Sequence, residues 1–452
     1  MTNKTASDKL GTMDIRSLII TMSVPMMISM MVQAIYNIVD SYYVSHISEA
    51  ALTAVSMSFP IQGFKIAASV GTGVGMNALL SRALGAKDKK YANKIAHNAL
   101  ILMFMWYSLF LIFGIFFTEA FFERQGASGE ILMHGKAYLS IISTFSIFQF
   151  IQIYNERLLQ ATGLPMLSML SQAVGAITNI ILDPIFIFGY LGVPAMGAKG
   201  AAIATILGQT TGMAVSFLFN KYKNQDINYK FLGIEFDSSV IKEILKVGLP
   251  TTVMQSVGSV MGYLFNQILL TFTSTAVAVF GIYFKVQSFV FMPVFGLNNG
   301  TVPIMAYNYG AKNKDRIIET YKKAALYASI VMVLGLLIMQ LFAANIMSIF
   351  NANDEMMHIG VSALRRISLC FVFVGFSIAT SGMFQALGKS MYSLIISSIR
   401  QIGILIPVAY LISKRGVLND VWWAFLIAEF CSFFVVLFFL KEIKKGVLDK
   451  ID

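Results

Sequence analysis

Charge is scarce in this chain: of 452 residues only 13% are Asp, Glu, Lys or Arg, while 57% are apolar. A soluble surface needs about a quarter of its residues charged, so a water-soluble globular chain is excluded. Mean hydropathy is correspondingly high, at +0.71. Cysteine is nearly absent, and Cys370 and Cys431 both fall in apolar runs, so no disulfide framework or thiolate metal site is encoded. The four histidines, His46, His97, His134 and His358, sit near loops or helix ends without metal spacing. No nucleophile and base stand in a recognisable motif, which leaves enzymatic activity with little support. Gly382 to Ser390 resembles a P-loop only superficially: it has one residue too many between its glycines and no preceding strand. Gly71, Gly73 and Gly75 lie in an apolar run, where small residues permit close helix packing rather than dinucleotide binding.

Proline is also rare, with nine in the chain, so the apolar stretches continue for roughly 20 residues or more, enough for a helix to cross ~30 Å of hydrocarbon. Such runs fall near 17 to 42, 52 to 79, 92 to 117, 135 to 159, 165 to 190, 199 to 220, 243 to 270, 276 to 302, 320 to 342, 358 to 386, 392 to 413 and 421 to 440. The pattern predicts an all-α membrane protein of about twelve spans. Met1 to Asp14 is polar, and no small-residue cleavage site follows it, so the first run is expected to be a retained span.

A net charge of +11 can indicate nucleic-acid binding, but here the bases sit in alternate loops. Arg82, Lys87, Lys89, Lys90 and Lys94 form one group, and Lys221, Lys223 and Lys230 a second; Lys312, Lys314, Arg316, Lys322 and Lys323 form a third, and Lys441, Lys444 and Lys445 a fourth. The other loops carry acids such as Glu119, Glu123, Glu130, Asp354 and Glu355. The bias predicts a multi-pass inner-membrane protein with both termini in the cytoplasm and no nucleic-acid partner. Lys414 and Arg415 run against the scheme.

One offset dominates when the chain is slid against itself. Pro25 meets Pro250, Gly71 meets Gly296 and Gly75 meets Gly300; Gly85, Ala86 and Lys87 meet Gly310, Ala311 and Lys312; Gln160, Ala161 and Gly163 meet Gln385, Ala386 and Gly388. Each pair differs by 225, as in 250 − 25. The halves are therefore expected to be duplicates: a six-helix lobe over 1–220, a linker over 221–242 and a second six-helix lobe over 243–452. An even number of spans per copy puts both copies in the same sense, related by a pseudo-two-fold axis along the membrane normal. Transporters with such parallel repeats place substrate between the halves and alternate access by rocking.

These features resemble the MATE (multidrug and toxic compound extrusion) family over essentially the whole chain. Pro25, the Leu84-Gly85-Ala86-Lys87 loop and its copy Tyr309-Gly310-Ala311-Lys312 carry the resemblance, with the Gln160-Ala161-Thr162-Gly163 turn. The stretch Asn179-Ile180-Ile181-Leu182-Asp183-Pro184 is similar to the bacterial DinF-like and MepA-like branch. The resemblance implies antiport: export of varied, often cationic, amphipathic compounds against an inward sodium or proton flux, with no cofactor and a monomeric transporter. It also implies a coupling-ion site formed by Asp40, Asn179, Asp183 and Thr205, with sodium a candidate ligand of the first three.

Residue chemistry points the same way. An ionisable group within a span costs roughly 2.5–3.5 kcal/mol on insertion scales, so Asp40 and Asp183 are functional suspects. Asn179 and Asp183, spaced i, i+4, share a helix face, and Pro184 should free the Ile180 carbonyl. A proton or sodium ion can neutralise such a carboxylate, and a cationic substrate competes for the same charge. Gln33, Tyr36, Glu156, Met254 and Lys285 are candidate substrate contacts. Glu156 reads either as an interfacial side chain or as a vestibule charge. Lys65 is expected to line the cavity or to pair across the lobes, and Lys285 or Arg400 to pair with Glu429. A flippase or exporter for one metabolite or lipid-linked precursor is the rival within transport; such a flippase should carry more spans and a strongly cationic cavity. An ion channel is the rival of another class.

Overall fold

Residues 5–228, 236–350 and 352–451 are described by a computed structural model, and among them every regular element is helical. Eight helices are long and apolar enough to cross a membrane, and two bent pairs pass the same test jointly. The eight are Ile15–Ser45, Lys89–Arg124, Pro165–Phe188, Ala198–Lys223, Ser274–Gly310, Lys314–Leu341, Ser390–Ser413 and Leu418–Lys450. The bent pairs, Gly129–Thr144 with Ile147–Ala161 and Asp354–Ser368 with Phe371–Ala386, form the fourth and tenth spans. Glu49–Gly85 and Ser238–Leu270, of 37 and 33 residues, complete twelve. Their more polar composition has a physical cause. The second and seventh spans pack on each other at the centre, where small and hydroxylated residues allow close approach.

Helix starts obey local chemistry, and the repeat extends to it. Ser48 and Thr273 cap the second and eighth spans through their hydroxyls, and Asp88 and Asn313 cap the third and ninth through their side-chain oxygens. Both pairs are again 225 apart, as are Lys87 and Lys312, which hold left-handed φ values of 58° and 56°.

Within the first lobe the fifth span packs on the sixth and the first, and the fourth packs on the second and sixth; within the second lobe the ninth packs on the tenth and eighth. The lobes meet through the second and seventh spans, the first and eighth, and the second and eighth. This seam is reciprocal. A Cβ on Gly71 would lie 2.0 Å from Thr252 Oγ1, while one on Gly296, its copy, would lie 2.5 Å from Met27 Cα; Met27 and Thr252 are themselves 225 apart. Gly85 abuts the Tyr307 carbonyl and Gly310 abuts that of Arg82, and 82 and 307 share the offset. Two like copies facing across a two-fold axis must exchange contacts in this way.

The seam lies at one end of the bundle. Arg316 donates to the carbonyls of Leu10 and Met13, Ser7 donates to Asp226 and Lys314 pairs with Asp449 at 2.8 Å, so both terminal segments share that end with the basic loops. Lys230 lies outside the described residues. Toward the opposite end the first lobe has its own apolar cluster, built from Val44, Val55, Ile187 and Ala198 among others, with no member from the second lobe among the described residues. The contacts named between the lobes lie toward the basic end.

Candidate cation and substrate site

Asp183 sits within the helix Pro165–Phe188, one turn after Asn179 and fully buried. The fifth span runs against the sixth closely because a side chain at Gly208 would strike Asn179 Cβ at 2.8 Å. That proximity brings Thr205 to the pair. With its amide oriented so that nitrogen meets acceptor and oxygen meets donor, Asn179 donates to Asp183 Oδ2 at 3.1 Å and accepts from the Thr205 backbone N–H at 3.1 Å. Thr205 Oγ1 donates in turn to the Ala201 carbonyl at 2.9 Å.

Asp40, near the end of Ile15–Ser45 away from the seam, has a buried Oδ1 with no hydrogen-bond partner. It lies within electrostatic reach of Asp183. A buried carboxylate oxygen without a donor is a chemically competent acceptor for a proton or a hard cation. Tyr36, one turn before Asp40, points its hydroxyl at Thr205. Thus Asp40, Asn179, Asp183 and Thr205 come together in the first lobe, and Tyr36 belongs with them.

Tyr138, in the fourth span, was not singled out by the sequence. It is buried, faces Gln62 of the second span and lies within electrostatic reach of Asp40, Asp183 and Tyr36. Its only signal in the sequence is a phenol placed deep in an apolar run.

The other candidates scatter. Gln33 and Met254 are half-buried in the first and seventh spans. Glu156 is buried and accepts from Gln152 Nε2 at 2.9 Å, while Arg157 reaches Gln160 and, across the seam, Asn299. Glu156 is therefore neither a snorkelling interfacial residue nor an open vestibule charge. Lys285 is exposed and lies 6.0 Å from the centre of the Phe350 ring. Of the two expected partners of Glu429 it is Arg400 that pairs, at 2.9 Å. Lys65 neither lines a cavity nor bridges the lobes: it is 3% exposed and donates to the Ile142 carbonyl at 3.2 Å. Among the described residues no cluster of three or more His, Cys, Asp or Glu could hold a metal ion, so a bound sodium would rely on amide and hydroxyl oxygens beside the two carboxylates.

Comparison with known proteins agrees with this architecture. The family model described as MatE matches twice, over residues 25–185 and 250–411. The multidrug export protein MepA of Staphylococcus haemolyticus is 26% identical over 423 residues, 93% of this chain and 92% of that protein. An outward-facing multidrug resistance MATE transporter of the MOP superfamily superposes with a TM-score of 0.90 at 27% identity, covering 98% of each chain. A MOP superfamily transporter from Pyrococcus furiosus, described as having a binding pocket of reversed polarity that suggests a different function, superposes equally well, at 0.90 and 27% over the full length of both.

Proposed function

Because this chain belongs to the MATE family of membrane transporters and is not an enzyme, we propose that it is a secondary antiporter which exports small organic compounds, often cationic and amphipathic, in exchange for inward-moving protons or sodium ions. The observation that carries this reading is the unpartnered Oδ1 of Asp40 beside the fully buried Asp183, Asn179 and Thr205. Basic loops are retained in the cytoplasm, so the seam end is the cytoplasmic end and the opposite end faces outward. Kinship with an outward-facing MATE structure supports that polarity.

In this state a cation from outside reaches Asp40 and Asp183 and cancels their charge. A cationic substrate held by the same charge is then released, since the two ligands compete for one electrostatic partner. Neutralisation removes the cost of burying charge, which permits the lobes to rock about the seam and expose the site inward. Single copies of Asp40 and Asp183 in the first lobe support one coupling site per chain.

Reconstituted vesicles loaded with ethidium and given sodium or proton gradients in turn test the reading. Efflux should follow one gradient in the native protein and fall to the level of empty vesicles in Asp40→Asn and Asp183→Asn. Gradient-driven efflux at the native rate in both variants would falsify the coupling scheme.

A further inference from the structure

The fourth span is broken, and its halves meet at 46°. At the break the Phe145 N–H still reaches Ile141, but that of Ser146 turns back to Ser143 at 3.3 Å. The Ile142 carbonyl thereby loses the i+4 donor that an unbroken helix would supply. Lys65 of the second span fills the gap, its Nζ 3.2 Å from that oxygen. Among the described residues no carboxylate stands within 4 Å of this buried ammonium, an expensive arrangement for a group serving only as filler.

The neighbouring turns also face each other. Tyr138 lies four residues before Ile142 on the same helix face, and Gln62 lies three residues before Lys65. Tyr138 is directed toward Gln62, one turn above the hydrogen bond from Lys65 to Ile142 that joins the second and fourth spans. Its phenol overlooks Asp40 and Asp183.

We propose that Lys65 is a positioning residue for the cation site: by holding the Ile142 carbonyl at the break it fixes the bend of the fourth span, and with it the placement of Tyr138 over the two aspartates. Lys65 never touches the ion. The inference rests on the proposed antiport, and it assigns cation affinity in part to a side chain one helical turn away.

Lys65→Met removes the donor and keeps the volume. If Lys65 were only structural, this variant would transport normally and be no less stable, because a buried charge would be gone. The expected result is different: folded protein, a cation concentration for half-maximal ethidium efflux raised about tenfold, a maximal rate within about twofold of native, and recovery of native half-saturation in Lys65→Arg. Adding Tyr138→Phe to Lys65→Met should cost little more, since Lys65 acts on the site by way of Tyr138. Native half-saturation in Lys65→Met, or a uniform fall in maximal rate, overturns the inference. Should Lys65→Met fail to fold, Gln62→Leu alters the side chain beside Tyr138 and carries the same expectation and the same refutation. Asp40→Asn measured alongside separates the two ideas. Its loss of coupling together with a normal Lys65→Met defeats this inference alone, whereas persistent coupling in Asp40→Asn defeats the antiport reading and this inference with it.

Discussion

The two lobes are copies in backbone and opposites in content. Beside the first span, Asp40, Tyr36, Tyr138 and Asp183 form a polar cluster with an orphaned carboxylate oxygen. The residue 225 positions after Asp40 is Phe265, fully buried with its ring 4.7 Å from Phe280, 5.0 Å from Phe425 and 6.0 Å from Trp422. Where one copy keeps a charge available, the other is filled with aromatic side chains. The acid that the second lobe does bury, Glu429, has Arg400 as a built-in counter-ion. On the proposed antiport, an arriving cation would meet the uncompensated carboxylates of the first lobe, and the second would serve as its packed partner. The two copies share a scaffold and differ in what fills it.

If the comparison holds, function and stability should separate by lobe. The largest effect is expected from Phe265→Ala, which should remove about 3–5 kcal/mol of stability and lower Tm while leaving the choice of driving ion unchanged. Changed ion dependence in that variant would break the comparison at its centre.

Glu429→Leu should cost somewhat less, since the half-buried Arg400 loses its counter-ion, at roughly 1–3 kcal/mol. The double change Arg400→Met with Glu429→Leu should recover most of that loss, and a thermal-melt cycle reads the coupling directly. A pair that was also a transport site would recover its stability but not its efflux.

Thr205→Val should have a smaller consequence in the other lobe: removal of one hydroxyl weakens cation binding about five- to tenfold, on the order of 1 kcal/mol, with Tm almost unmoved. Sodium or proton titration of ethidium efflux measures it.

Smallest of all is the link between the lobes at the basic end. The Lys94 ammonium, 2.5 Å from Asp237, holds that carboxyl below the usual carboxylate range. Because the folded value is depressed, its stabilisation is present above the ordinary carboxylate pKa and fades as pH falls through the lowered one. The sensitivity of Tm to acid should shrink slightly in Asp237→Asn, and high salt should erase the difference.

Much of this was legible in advance because it depends on local chemistry. Twelve apolar runs, the 225-residue offset and the i, i+4 pair Asn179 and Asp183 are one-dimensional signals that a helix carries unchanged into three dimensions. Span-to-span relations were harder to read. Lys65 looked like a cavity or interlobe charge because nothing in its surroundings announces a broken helix 77 residues on, whose carbonyl becomes its partner. Tyr138 was overlooked for the same reason, since its importance comes from facing helices rather than from its own run. Glu156 lay close enough to a helix end to suggest an interface, yet tertiary packing buries it.

The reciprocal glycine seam has a consequence for origins and assembly. A surface on which Gly71 and Gly75 meet the counterparts of Met27 and Ser23 is self-complementary, the property by which two identical subunits recognise each other. A six-helix unit with those four positions would need no new surface to pair with its own copy. Two half-chains divided between Lys223 and Ser238 should accordingly find one another when co-expressed.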